Sequence, residues 1–376
     1  MTALTIAASG GVLAARLPGA RYLALGLVVP TGFALDAVGG AGSAHVAEHV
    51  ATRRGAAAVE APPALAAFTR CHATVFTTEA LPEQAADAFG ALAAVVTDAP
   101  VQTQVLDQER TAVRHELEVT AAEPTWRIGA AVAALLAPET GLAAEHAATV
   151  ANIGSLSPAQ VDGVLRDGYR PDRAVLAVVG DLAPDELLAL AADAGFPTDE
   201  STSDTSPAVR VPSPGEDPDL PEAFGVSFLL PGPATGPVPP WASAVLGGLV
   251  NPRGPVASAV NAPPLAHSVM KCRYGWLASV VWPGAARPVP VDPGNRQALV
   301  AAARKAHLSV HDGLLVPTQV RDALVAQAEG TEACLAARLR PEFDEAAADD
   351  LARRLISAPN WWRLRAGRAE LLETTR

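Results

Sequence analysis

The chain has 376 residues, 49% of them hydrophobic, and a net charge of −12. That length allows two domains of ordinary size, each with its own core. The acidic balance argues against nucleic acid as a partner, because phosphate backbones demand basic patches, and mildly favours cationic peptides through long-range attraction.

Taken in chain order, residues 12–17 and 22–29 are rich in alternating Val and Leu and read as strands. Ser43 precedes a helical pattern and is the expected N-cap of a helix carrying His45-Val46-Ala47-Glu48-His49. Residues 82–96 and 105–121 have helical spacing of apolar positions. A helix is expected over 158–168 after the N-cap Ser157, then a buried strand over 174–179 and a helix over 184–194. Residues 197–221, dense in Pro, Ser, Asp and Thr, mark a linker. Beyond it a similar order restarts: a strand at 224–230, a helix at 240–249, a strand at 276–282, and helices at 296–311 and 318–328. Trp282, Trp361 and Trp362 read as packing aromatics.

Apolar runs such as 23–29 are far short of the roughly 18 residues that cross a bilayer. The first residues lack the basic start, apolar stretch and cleavage site of a secretory signal. Both points suggest a cytoplasmic protein with no membrane partner. Cys71, Cys272 and Cys334 contain no C-x-x-C pair and read as reduced, structural thiols.

The chemistry concentrates at residues 45–49. Side chains at i and i+4 of a helix share one face, so His45 and His49 can turn their nitrogens toward one zinc ion at about 2.0–2.1 Å. Glu48 can reach a water at that ion, whose pKa falls to roughly 7 there, and can relay its proton to a leaving amine. A catalytic zinc needs a third protein ligand. Glu109 and Glu116, two turns apart on the 105–121 helix, supply candidates.

H-x-x-E-H is the inverzincin arrangement, and residues 1–195 resemble the pitrilysin, insulinase and mitochondrial-processing-peptidase family. The landmarks are Gly42-Ser43-Ala44-His45, the helix from Glu109-Arg110 to Glu116, and Tyr169-Arg170-Pro171 followed by the 174–179 strand and Gly180-Asp181. The resemblance implies an α+β fold of two similar domains, each a mainly antiparallel β-sheet packed with α-helices. Their expected bounds are 1–196 for the metal-binding domain, 197–221 for the linker and 222–376 for a second domain without the metal motif. That second domain is expected to lack a final helix and strand. It also implies a zinc-dependent endopeptidase, with His45, His49 and Glu116 as metal ligands, Glu48 as general base and Glu109 as the carboxylate behind the ligands.

Two departures stand out. The segment between His49 and Glu116 is shorter than is usual in the family, and His72 falls where an Asn that holds substrate backbone is expected. For His72, substrate binding, approach to the metal and an ordinary surface position all stay open. In the second half, His267 and Val260 stand where the family carries a substrate-binding Tyr and Arg, while Arg273 and Tyr274 are at the wrong spacing. The resemblance therefore suggests a peptide substrate and a homologous subunit without the metal motif, or a second copy of this chain, completing the site. A non-proteolytic scaffold of the same fold is the alternative.

Overall fold

The computed structural model describes residues 4–36, 40–146, 148–198, 219–231, 241–260, 262–272, 275–284, 288–289, 291–312, 316–329, 343–366 and 368–372. In chain order the elements are β1 (Thr5–Ser9), β2 (Val12–Arg16), β3 (Leu23–Val29), α1 (Ser43–Ala57), β4 (Leu65–Thr69), β5 (Thr74–Ala80), α2 (Ala85–Val95), α3 (Thr103–Ala121), α4 (Pro124–Leu136), α5 (Val150–Ser155), α6 (Pro158–Gly168), β6 (Val175–Gly180) and α7 (Pro184–Asp193). There follow β7 (Ala223–Pro231), α8 (Ala242–Val250), α9 (Pro255–Val260), β8 (Ala266–Cys272), β9 (Gly275–Pro283), α10 (Arg296–Asp312), α11 (Pro317–Ala328), α12 (Glu345–Ser357), β10 (Asn360–Arg365) and β11 (Arg368–Leu371). These form two units, each with its own sheet, an α+β architecture. The first unit comprises residues 1–119, 148–212 and 315–329, and the second comprises 120–147, 213–314 and 330–376, so each half of the sequence lends a segment to the unit of the other.

The first unit has a six-stranded sheet in the order β1-β2-β6-β3-β5-β4. Its strands pair antiparallel except for β2 with β6. Strand β3 is buried along its whole length, which explains a run of apolar residues without polar alternation. Leu23, Leu25, Leu27 and Val29 join a core with Val46 and Val50 of α1, Phe89 and Leu92 of α2, Val113 of α3 and Leu187 of α7. The other face of β3 is lined by small side chains and lies under α11. A Cβ on Gly26 would fall 2.6 Å from Val325 Cγ2, so glycine sets how closely that helix approaches. The helical pattern at 318–328 is thus realised as α11, but its apolar face belongs to the first unit.

The second unit has a fully antiparallel sheet ordered β11-β10-β7-β9-β8. On one face Phe224, Val226 and Phe228 of β7 and Trp276, Ala278, Val280 and Trp282 of β9 form a core with α8, α10 and α12. The three tryptophans expected to pack are all buried, with Trp282 stacked on Phe224 at 5.2 Å and on Trp361 at 6.3 Å between ring centroids. Trp362 donates from its indole N–H to Ser227 Oγ at 2.9 Å, and Ser227 shares a hydrogen bond with Ser279 at 2.7 Å. Among the described residues, no helix is long and apolar enough to cross a membrane.

Candidate metal centre

Helix α1 is started by a carboxylate from outside it. Gly42 precedes the helix with φ of 88°, the left-handed region that glycine adopts without a steric penalty. Asp36, buried, accepts hydrogen bonds from Gly42 N at 2.6 Å, Ala44 N at 2.8 Å and Ser43 Oγ at 2.8 Å. The expectation that Ser43 caps the helix is therefore corrected: its hydroxyl is a donor to Asp36. A full negative charge satisfies the unpaired N–H groups and the positive helix end better than a neutral hydroxyl does. Burial nevertheless pushes the Asp36 carboxyl up to about 6, against the downward pull of its three donors.

One turn further on, His45 and His49 stack edge to face with ring centroids 5.1 Å apart. Helix α3 brings Glu116 against both. Glu116 Oε2 lies 3.4 Å from His45 Nε2, and Glu116 Oε1 lies 3.5 Å from His49 Nε2. One ligand atom from each of the three side chains falls within 4.8 Å of the others. A tetrahedral ion with bonds near 2.1 Å sets its ligand atoms roughly 3.4 Å apart, which the two contacts made by the separate Glu116 oxygens match, while the three-atom set as a whole is held only to within 4.8 Å. Two imidazoles and a carboxylate are also the donor set of catalytic sites that keep a fourth position open.

Glu109 lies behind His49. Its Oε2 is 3.4 Å from His49 Nδ1, and its Oε1 accepts from Arg53 at 2.8 Å. A carboxylate on the far nitrogen fixes the ring's tautomer and directs Nε2 at the metal. Burial, reinforced by the neighbouring His49, lowers the His45 imidazole to about 4 despite the opposing pull of Glu116. The ring is therefore neutral at neutral pH, the form that binds metal.

Glu48 is buried beside the two histidines, and desolvation raises its carboxyl above the usual range, opposed by Thr69 and His49. Its Oε2 accepts from both the backbone N–H and the hydroxyl of Thr69, each at 2.7 Å. Asp36, Thr69 and Arg53 are supporting residues that the sequence reading missed. No hydropathy signal marks the strand bearing Thr69: β4 reads Leu-Ala-Ala-Phe-Thr without polar alternation, and in the fold Phe68 is exposed while Thr69 is half-buried. Nor does any local pattern aim Asp36 at the helix start.

The remaining candidates lie elsewhere. His72 occupies the turn between β4 and β5, half-buried, with Nε2 3.8 Å from Cys71 Sγ, and it is not one of the three clustered residues. His267 belongs to the second unit, exposed on edge strand β8. There it lines a groove of about 420 Å³ with Trp126 of α4, Met270 and Val281. Val260 ends α9. Arg273, Tyr274, Cys334 and most of the proposed linker lie outside the described residues.

The amino-acid sequence matches neither a family model nor a curated protein. Solved structures do match in fold. A protease from Helicobacter pylori superposes with a TM-score of 0.63 at 11% identity, covering 97% of this chain and 100% of that one. A peptidase M16 inactive domain from Pseudomonas fluorescens gives 0.62 at 13% identity, with 97% and 96% covered. Pitrilysin gives 0.61 at 16% identity over 100% of this chain, which spans 47% of pitrilysin's length. At these identities the likeness is one of fold: both units have the arrangement found in M16 peptidase structures.

Proposed function

We propose that the chain is a zinc-dependent endopeptidase acting on extended peptides. The observation that carries this reading is the convergence of His45, His49 and Glu116 within 4.8 Å, with Glu48 buried on the same helix beside them. Zinc held by those three side chains would polarise a scissile carbonyl and make a nearby water more acidic. Glu48 would take a proton from the attacking water and return it to the leaving amine, and its raised pKa suits both transfers. Glu109 would keep His49 oriented.

Strand β4 ends the sheet on the side of the site, and its last residue, Thr69, touches Glu48. An extended peptide adding to that edge would gain main-chain hydrogen bonds that tolerate varied side chains. Specificity would then rest on length and disorder more than on one pocket. Because Val260 and His267 stand where the resemblance leads one to expect Arg and Tyr, a homologous subunit without the metal motif, or a second copy of this chain, is proposed to complete substrate binding.

The test is cleavage of an unstructured peptide mixture, followed by mass spectrometry with and without chelator, for the chain alone and mixed with such a homologue. Cleavage that zinc restores after chelation supports the proposal. The alternative, a non-proteolytic scaffold, is favoured by the likeness to a domain described as inactive. It predicts that neither chelator nor Glu48→Gln alters any activity, and that no peptide is cut under either condition.

A further inference from the structure

Glu48 is gripped at one oxygen. Both Thr69 donors converge on Oε2, and among the described residues Oε1 makes no hydrogen bond. The final torsion of a glutamate is broad and two-fold, so an ungripped carboxylate would exchange its two oxygens freely. Two charge-assisted hydrogen bonds to one oxygen remove that freedom.

Thr69 is itself well anchored. It pairs with Thr74 at the end of the β4–β5 ladder, with the two hydroxyl oxygens 3.5 Å apart. Thr74 gives its hydroxyl proton to the carbonyl of Thr31 at 2.7 Å. A hydroxyl has one proton to give, so Thr74's is committed to Thr31 and Thr69's to Glu48. Behind them the buried phenol of Tyr169 lies beside Thr74 and packs edge-on to Phe76 at 6.1 Å.

We propose that Thr69 is a positioning residue whose hydroxyl, together with its own backbone N–H, pins Glu48 Oε2 and leaves Oε1 as the proton-carrying oxygen. This rests on the peptidase reading above. As water oxygen bonds to the scissile carbon, one water proton passes to Oε1. As the carbon–nitrogen bond breaks, that proton goes to the amide nitrogen, so Glu48 ends as it began. Thr69 exchanges no proton and touches no substrate atom in this scheme.

The experiment compares Thr69→Val, which keeps the backbone donor and the side-chain shape, with Thr69→Ser, which keeps the hydroxyl. On an unstructured peptide, Thr69→Val is expected to lower kcat about tenfold to a hundredfold, the scale on which a small misplacement acts, with KM and zinc affinity within about twofold. Thr69→Ser is expected to recover kcat to within roughly threefold. In metal-free protein, a double-mutant cycle of Thr69→Val with Glu48→Leu is expected to show a coupling of about 3 °C or more in melting temperature. Additive melting shifts, a loss explained by KM or zinc affinity, or no recovery with serine would overturn the proposal. If the wild-type chain cleaves nothing, the peptidase reading falls, while the metal-free cycle still decides whether Thr69 holds Glu48.

Discussion

Helices α1 and α8 occupy comparable places, each following an interior strand and packing on the sheet of its own unit. Their contents differ sharply. Helix α8 buries Ala242, Val245, Leu246, Leu249 and Val250 and carries no titratable side chain. Helix α1 buries Glu48 among apolar neighbours, carries His45 and His49 nearby, and is started by the buried Asp36. Burying a carboxylate costs several times what burying a methylene gains unless hydrogen bonds compensate. Since the second unit folds without such a helix, the architecture does not require these groups. Their cost points to chemistry at α1 and to packing alone at α8.

The sharpest break of this contrast is His49→Ala, which removes a proposed zinc ligand together with one of the partners of Glu109. Zinc binding by titration calorimetry and peptide cleavage are both expected to fall below detection. Glu48→Gln should separate the two properties, keeping zinc within a few-fold while cleavage drops by about 10²–10⁴. Retained cleavage would remove Glu48 from the mechanism. Glu109→Gln is expected to weaken zinc affinity about 10- to 100-fold, with α1 still folded by circular dichroism.

On the other side of the comparison, Ser227→Ala leaves the buried indole N–H of Trp362 without its partner and should cost about 1–3 kcal/mol of stability in urea unfolding. Zinc affinity should not change. A change there would mean that the second unit does more than pack.

The smallest effect is a shallow pH dependence of metal-free stability, produced by opposing groups around α1. His45, lowered from 6.5 to about 4 in the fold, binds fewer protons folded than unfolded between those values, so its contribution to stability grows as pH rises from 4 to 6.5. Asp36, raised from 3.8 to about 6, holds an extra proton when folded, so its contribution is lost as pH rises through that window. Glu48, also raised, acts in the same sense as Asp36. Urea midpoints at pH 4.5, 5.2 and 6.0 should therefore change little in the wild type, rise with pH in Asp36→Asn, and fall with pH in His45→Gln.

Much of the site could be read from local spacing. The i, i+4 relation of His45 and His49 follows from helix geometry, and Glu109 and Glu116 face one way because they are two turns apart on one helix. Most strands and helices expected in the first 196 residues lie within two residues of their observed bounds, as with β3 over Leu23–Val29 and α6 over Pro158–Gly168. The strand pair β4–β5 went unread, although its edge bears Thr69. So did helix α4, which the second unit takes from the first half of the chain.

Sequence by itself determined what backbone periodicity controls: which residues share a helix face, which strands are buried on both sides, and where two imidazoles and a carboxylate lie within one turn. Only the tertiary structure decided which surfaces meet. Asp36 reaches the start of α1, Thr69 grips Glu48, and α11 settles over Gly26 because packing and buried hydrogen bonds select partners that no helix or strand repeat relates. A repeat of 3.6 or 2 residues fixes the direction in which a side chain points, but not what will stand opposite it.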